Sequence, residues 1–353
     1  MKKLKYNISP YNIKMSSLLN DYVKLLRLPG LGGLATPTLF GAISAGVMDI
    51  HLLGLVFLIG AFSVIFGFIL NDYADVEVDR QTKDLYERPL VKGTISKKTA
   101  LLICIICLVG AYLTIFLLLY GSPITEFRIL AVICISISAV LGSLYDFYSK
   151  KIVGSDFLVA ISEFLLVLFG ALIVTQENTI NVITWIIAIL TFNQLLYMNA
   201  VDGGVKDADH DYKQNVKNIA AALGVKVKEN MEIIIPSGFK AFGIGIRCFS
   251  GFLVFVPFLF YGYKYEIYQI LLLFILIVLV MISTLRLLNL KKFDRDKIKK
   301  IISAEAYLRY SLVPIMLISV VGLLWSMILI IFPIVWYILL APLSGEELFK
   351  PRM

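Results

Sequence analysis

The sequence predicts an all-α integral membrane protein with about nine transmembrane helices, and three observations carry that prediction. Of 353 residues, 59% are hydrophobic and only 16% are charged. Soluble domains carry about 25% charged residues, so this chain has too few to cover a globular surface of its size. The mean hydropathy is +0.85. The apolar residues are also gathered into blocks of about twenty, the length an α-helix needs to cross a bilayer.

The blocks run at roughly 31–49, 52–71, 99–120, 128–146, 157–176, 180–200, 241–262, 267–289 and 307–340. The first two are close enough to form a tight helical hairpin. The last is too long for one simple span, and Pro333 is expected to end or kink it. Residues 1–20 are polar and basic with no apolar core, so no cleavable signal peptide is expected. Cys104, Cys107, Cys134 and Cys248 all fall within apolar blocks. The Cys104-x-x-Cys107 pair therefore reads as helix packing rather than redox or metal chemistry.

The net charge of +8 sits in the gaps between apolar blocks. That placement reflects membrane topology rather than a basic groove, so nucleic acid is not an expected partner. Lys24 and Arg27 precede the first block, and Arg80, Arg88, Lys92 and Lys97 follow the second. Lys150 and Lys151 follow the fourth, Lys206, Lys217 and Lys226 the sixth, and Arg286, Lys291 and Lys292 the eighth. By the positive-inside rule these gaps face the cytoplasm. The chain is expected to be a single domain, 1–353, in the cell membrane. Its amino-terminal segment 1–30 and loops 72–98 and 201–238 would all be cytoplasmic.

The same gaps hold unusual acids. After the second block the sequence reads Asn71-Asp72-Tyr73-Ala74-Asp75-Val76-Glu77-Val78-Asp79. If the helix continues past the membrane, Asn71, Asp75 and Asp79 share one face at i, i+4 and i+8. After the sixth block, Asp207 and Asp211 share a face in the same way, with Asp202 a turn or more earlier. Both blocks are even-numbered, so the two acidic segments emerge on one side and can face each other across a central cavity. Carboxylates gathered this close to hydrocarbon repel one another, and hard divalent cations would relieve the repulsion. Mg²⁺ favours a few carboxylates with water and substrate phosphates over an all-protein cage. A solvated acidic loop is the plain alternative for either segment alone. His210 reads as a solvated neighbour, since Mg²⁺ prefers oxygen.

Here the sequence resembles the UbiA-type superfamily of intramembrane prenyltransferases. Asn71-Asp72-x-x-Asp75-x-x-x-Asp79 is similar to that family's N-D-x-x-D-x-x-x-D. Arg88-Pro89-Leu90-Val91-Lys92-Gly93-Thr94-Ile95-Ser96 is similar to its R-P-[LI]-x-x-G-x-[IL]-S. Asp207-x-x-x-Asp211, with Leu223-Gly224 downstream, resembles its second motif. The resemblance implies a cavity with cytoplasmic helical caps, open sideways to membrane lipid so that a prenyl tail can enter. It implies a prenyl diphosphate donor and two Mg²⁺ ions, one held by Asn71, Asp75 and Asp79 and the other by Asp207 and Asp211. Asp72 and Asp202 would assist. Many members carry glycine just before the last aspartate, where this chain has His210, so acceptor specificity does not carry over.

Basic side chains on the same side could bind the diphosphate as its charge develops. Arg27, Arg88, Lys92, Lys150 and Lys151 are the candidates, with topology-setting charge as the alternative for each. The run Tyr145-Asp146-Phe147-Tyr148-Ser149-Lys150-Lys151 resembles a segment the family places beside the diphosphate and the reacting carbon. It makes Tyr145 and Lys150 catalytic candidates and Tyr148 a substrate contact, unless the rings form an interfacial aromatic belt. Residues 291–300 read as a surface segment at anionic lipid. Three other readings compete. A lipid-linked phosphoribosyl-type transferase stays within the superfamily. A CDP-alcohol phosphotransferase lacks its D-G-x-x-A-R motif here. A cation-coupled transporter would place its acids at mid-membrane on broken helices. The acceptor stays open between an aromatic acid such as 4-hydroxybenzoate, a quinone precursor and a geranylgeranylglyceryl phosphate.

Overall fold

Apolar helices set the architecture. The computed structural model describes residues 10–80, 85–175, 179–213 and 216–345, without the side chains of 10–17, 212 and 213. The loops 72–98 and 201–238 are thus described except for 81–84 and 214–215. The principal helices are α1 (Pro10–Leu25), α2 (Thr36–Ser44), α3 (Ile50–Asp79), α4 (Lys97–Leu119), α5 (Glu126–Tyr148) and α6 (Asp156–Val174). They are followed by α7 (Val182–Tyr197), α8 (Ala208–Lys213), α9 (Ser237–Leu253), α10 (Ile267–Leu288), α11 (Arg295–Met316) and α12 (Ile318–Leu340). A two-stranded ribbon, Lys226–Val227 against Ile233–Ile234, is the one paired-strand element named among the described residues.

Seven described helical runs are long and apolar enough to cross a bilayer: α3 to α6, α10, Val182–Lys206 and Ile318–Ser344. The expected count of nine is not confirmed, because interruptions leave two of the nine blocks without a run long enough to span. The first is divided into Leu31–Leu34 and α2, with Ala35 between them and Pro37 at the start of α2. At 1.5 Å per residue α2 is only about 14 Å long. The block at 241–262 stops at Leu253 and resumes as Val256–Phe260, where Pro257 cannot continue the preceding hydrogen bonding. The last block divides away from Pro333, which lies within α12. The chain instead breaks at Leu317 and turns extended at Gly322 (φ 80°, ψ 168°), a conformation open to glycine.

Helices α6 and α7 form the centre. Of the apolar stretch of α6, 61% is buried, against 17% for α5 and 28% for α4, whose outward Leu, Ile and Phe side chains suit lipid. Helix α6 packs against α2, α5 and α7. Membrane helices gain little from hydrophobic exclusion, so close backbone approach and interhelical hydroxyl pairs matter more. Both occur here. A Cβ at Gly41 would overlap the Val167 carbonyl, and one at Gly170 would overlap the Thr38 carbonyl, so α2 and α6 touch backbone to backbone. Ser44 and Thr184 pair at 2.8 Å, and Ser138 and Ser162 at 2.9 Å. Cys104 and Cys107 are buried and free of disulfides, as the packing reading expects.

The helices enclose a cavity of about 350 Å³, lined mostly by apolar groups such as Phe40, Phe62, Phe66, Leu108, Leu166 and Val280. Replacing Gly170 by Ala forces the α2–α6 crossing apart and should lower stability by roughly 2–3 kcal/mol. Thermal unfolding in detergent measures this, and an unchanged melting temperature would contradict the close crossing.

Candidate active site

Helix α3 stays helical through Asp79, eight residues beyond the end of its apolar block, so Asn71, Asp75 and Asp79 do lie on one face. Asp72 and Asp79 are buried there, and each acid of this segment meets a cation. Arg27 reaches Asp72 Oδ1 at 3.2 Å. It does so from a left-handed backbone (φ 50°), unusual for a residue with a side chain, and its guanidinium lies 4.5 Å from the Phe68 ring centre. Arg88 bridges Asp72 at 3.1 Å and Asp79 at 2.6 Å. The following proline holds Arg88 extended (ψ 134°), and Gly93 at φ 78° closes the short helix Pro89–Lys92. This turns the R-P-L-V-K-G run back onto α3. Lys150, just past α5, sits 2.8 Å from Asp75.

The end of α5 adds two polar groups. Asn71 Nδ2 donates to Asp146 Oδ1 at 3.2 Å, and the Tyr145 hydroxyl donates to Asn199 Oδ1 at 3.0 Å. The second acidic segment follows α7 through a π-helical stretch, Met198–Gly203, and then Gly204–Lys206. Gly204 is required there, because a Cβ would collide with Ala220. Asp207 stands at the break before α8, and its carbonyl accepts from the Asp211 N–H at 2.9 Å, which keeps the two acids one turn apart. Lys206 pairs with Asp207 at 3.5 Å, and Asn218 donates to Asp211 at 2.7 Å. Lys150 acts electrostatically on both Asp79 and Asp211, and Tyr145 feels both Asp75 and Asp207. The Lys217 N–H also bonds the Lys150 carbonyl at 3.1 Å, tying the two loops together.

The fold therefore brings Asn71, Asp72, Asp75, Asp79, Arg27, Arg88, Lys150 and Tyr145 together, with the loop of Asp207 and Asp211 tied to Lys150, and Asn71 and Tyr145 line the cavity. Lys92, Tyr148 and Lys151 are not gathered there. Lys92 pairs with Glu87 on the exposed surface, and Lys151 lies over the exposed Tyr148 ring at 5.7 Å. Asp202 is 2% exposed and pairs with Arg309 at 3.2 Å, apart from the other acids. The segment 291–300 is not wholly a lipid-facing surface. Arg295 pairs with Asp209 at 2.6 Å, and Lys299 feels Asp207, its own pKa lowered by burial and by Lys206 and Arg295. The sequence reading missed Asp146, Arg247, Glu305 and Arg309. A signal was available for Arg247 and Arg309, since both are charges inside apolar blocks.

The oxygen-rich donor set suits Mg²⁺. Burial and the neighbouring Asp207 carboxylate push the Asp211 carboxyl up to about 7 against the Asn218 hydrogen bond, a crowding that a bound cation would relieve. Among the described residues no three His, Cys, Asp or Glu side chains converge on one point. The arrangement fits a metal that completes its coordination with water and substrate phosphate.

The sequence profile of the UbiA prenyltransferase family matches residues 34–270. Digeranylgeranylglyceryl phosphate synthase of Saccharolobus solfataricus is 26% identical over 213 residues, covering 59% of this chain and 70% of the relative. The 4-hydroxybenzoate octaprenyltransferase of Pseudomonas syringae is 29% identical over 216 residues, covering 58% and 67%. Among solved structures, a digeranylgeranylglyceryl phosphate synthase in membranes superposes with a TM-score of 0.61 at 19% identity, over 87% of this chain and 99% of the other. A UbiA homologue from Archaeoglobus fulgidus bound to GPP and Mg²⁺ gives 0.59 at 19% identity, over 85% and 99%. At these identities the structural likeness establishes the fold. Together with the profile match, it shows that the chain belongs to the UbiA prenyltransferase family and is a multi-pass membrane enzyme.

Proposed function

We propose that this enzyme transfers a prenyl group from a prenyl diphosphate to an aromatic or glycerolipid-type acceptor, with two Mg²⁺ ions at the diphosphate. The observation that carries the reading is that Lys150 ties the two loops together, its side chain on Asp75 and its carbonyl accepting from the Lys217 N–H, beside Asn71 and Tyr145 on the wall of an apolar cavity. The mostly phenylalanine, leucine and valine walls suit an isoprenoid tail. The names of the two relatives, one making a glycerolipid phosphate and one acting on 4-hydroxybenzoate, support both acceptor classes.

Asn71, Asp75 and Asp79 would hold one ion and Asp207 and Asp211 the other. When bound, the metal neutralises the diphosphate as a Lewis acid. The chain's own residues do the remainder. Arg27, Arg88 and Lys150 neutralise the acids of α3 in the free enzyme, and their guanidinium and ammonium groups are placed to turn to the diphosphate oxygens. Asp72 is then a positioning residue that holds both arginines. The carbon–oxygen bond breaks with its electron pair on the diphosphate, and the allylic cation is attacked by the acceptor, which loses a proton. The Tyr145 ring would stabilise that cation. Lys92, Tyr148 and Lys151 contribute surface charge and an interfacial ring rather than diphosphate contacts. Residues 1–353 act as one domain, and the Lys and Arg pattern supports a cytoplasmic mouth.

Asp75→Asn and Asp207→Asn should each lower prenyl transfer by about 100-fold or more. Their melting temperatures should stay near the wild-type value, because each loses one partly exposed ion pair together with one repelling charge. Near-normal transfer in both variants would end the two-metal reading. Removing divalent cations with EDTA should stop diphosphate release from geranylgeranyl diphosphate and Mg²⁺ should restore it. Release that continues in EDTA would count against a metal-assisted ionisation.

A further inference from the structure

A second charged group stands on the cavity wall, apart from the acidic segments. Arg247 of α9 and Arg309 of α11 are 5% and 4% exposed, and both line the cavity. Behind them lie Glu305 and Asp202, 0% and 2% exposed. Arg247 meets Glu305 at 2.8 Å, while Arg309 meets Asp202 at 3.2 Å and Glu305 at 3.8 Å. The Arg247 guanidinium is stacked on the buried Tyr197 ring, 3.3 Å from its centre. The Tyr197 hydroxyl donates to Thr284, and Thr284 donates to Glu305. Both guanidinium groups are thereby held by buried partners, and the two arginines line the cavity while Asp202 and Glu305 do not.

The pairing is incomplete. Arg247 Nε and Arg309 Nη1 are buried donors without a hydrogen-bond partner among the described residues, as are the acceptors Asp202 Oδ1 and Glu305 Oε2. Buried donors left unpaired are costly, and such atoms mark a strained or functional position or one completed by a water or ion. Arg247 and Arg309 are also the two basic side chains among the described residues lining the cavity, whereas Arg27, Arg88 and Lys150 are engaged at its mouth. Asp202 precedes Asp207 by five residues, across the π-helical stretch and Gly204–Lys206.

We infer that Arg247 and Arg309 form a subsite for an anionic oxygen group of the acceptor, a carboxylate or a phosphate. This rests on the transfer reaction proposed above. Glu305 and Asp202 are positioning residues that orient the two guanidinium groups and balance their charge while the subsite is empty.

The test uses the full-length enzyme in nanodiscs. Binding of geranylgeranyl diphosphate with Mg²⁺ is followed separately from binding and turnover of two acceptor pairs. The pairs are 4-hydroxybenzoate against 4-hydroxybenzamide, and geranylgeranylglyceryl phosphate against its unphosphorylated alcohol. The anionic member of at least one pair should bind about 10- to 100-fold more tightly than its neutral counterpart, and the pair that discriminates identifies carboxylate or phosphate. The charge-balanced double variant R247Q/E305Q should raise the KM of that acceptor by a similar factor and reduce the preference to near unity, with diphosphate binding unchanged. Arg247→Lys, which keeps the charge but not the fork, should fall between the two and serves if the double variant fails to fold. Equal binding of charged and neutral acceptors overturns the inference. So does no binding of either pair by an enzyme that binds diphosphate, or a folded variant that keeps its preference. Loss of diphosphate binding in the variant would show a structural role instead. A wild-type enzyme that fails to bind diphosphate contradicts the transfer reading itself.

Discussion

Repulsion among carboxylates governs the mouth of this molecule. Two acids one helical turn apart, at about 6 Å and an effective dielectric near 20, repel by about 3 kcal/mol, and the mouth holds five of them on two segments. The fold meets the repulsion of α3 with Arg27, Arg88 and Lys150, each drawn from a different piece of chain. Much of the local geometry follows from that need. It accounts for the left-handed backbone at Arg27 and for the proline-directed return of Arg88. It also accounts for the place of Lys150, immediately beyond α5 and within range of both acidic segments. In the second segment Lys206, Arg295 and Asn218 meet the acids, and burial together with the neighbouring Asp207 pushes the Asp211 carboxyl up. On the proposed reading, these cations would pass from the acids to the diphosphate when metal binds.

The bundle beneath keeps that mouth in register. Helix α6 is the buried post, and its backbone contact with α2 leaves no room for a side chain at Gly41 or Gly170. Hydroxyl pairs from α2 to α7 and from α5 to α6 tie the surrounding helices to it. The acidic ends of α3 and of the run after α7 therefore emerge from helices whose positions are fixed well below them.

The membrane class, the helical fold and the spacing of Asn71, Asp75 and Asp79 were legible in the sequence because each depends on local periodicity. Hydropathy over about twenty residues marks a span, and a four-residue repeat of oxygen-bearing side chains marks a face. The breaks were less legible. Hydropathy is blind to the interruption at Ala35 and to the turn at Gly322, where backbone geometry overrides an apolar composition. Pro333 was the obvious breaker, yet glycine proved the more permissive point. The partners of the acids were harder still. Lys92, Lys150 and Lys151 look equivalent as basic residues after a span. Only the three-dimensional return of the chain separates Lys150 from the two that remain at the surface. Asp202 was legible as an acid, but its pairing with Arg309 joins residues 107 positions apart.

The central claim is that both acidic segments hold metal at a single diphosphate. Anomalous diffraction from crystals grown with Mn²⁺ and a non-hydrolysable prenyl diphosphate analogue tests it directly. The account predicts two peaks flanking the diphosphate, one beside Asn71, Asp75 and Asp79 and one beside Asp207 and Asp211, with Arg88 and Lys150 turned toward phosphate oxygens. A diphosphate bound without metal at either segment, while Arg27, Arg88 and Lys150 keep their carboxylate partners, would contradict it.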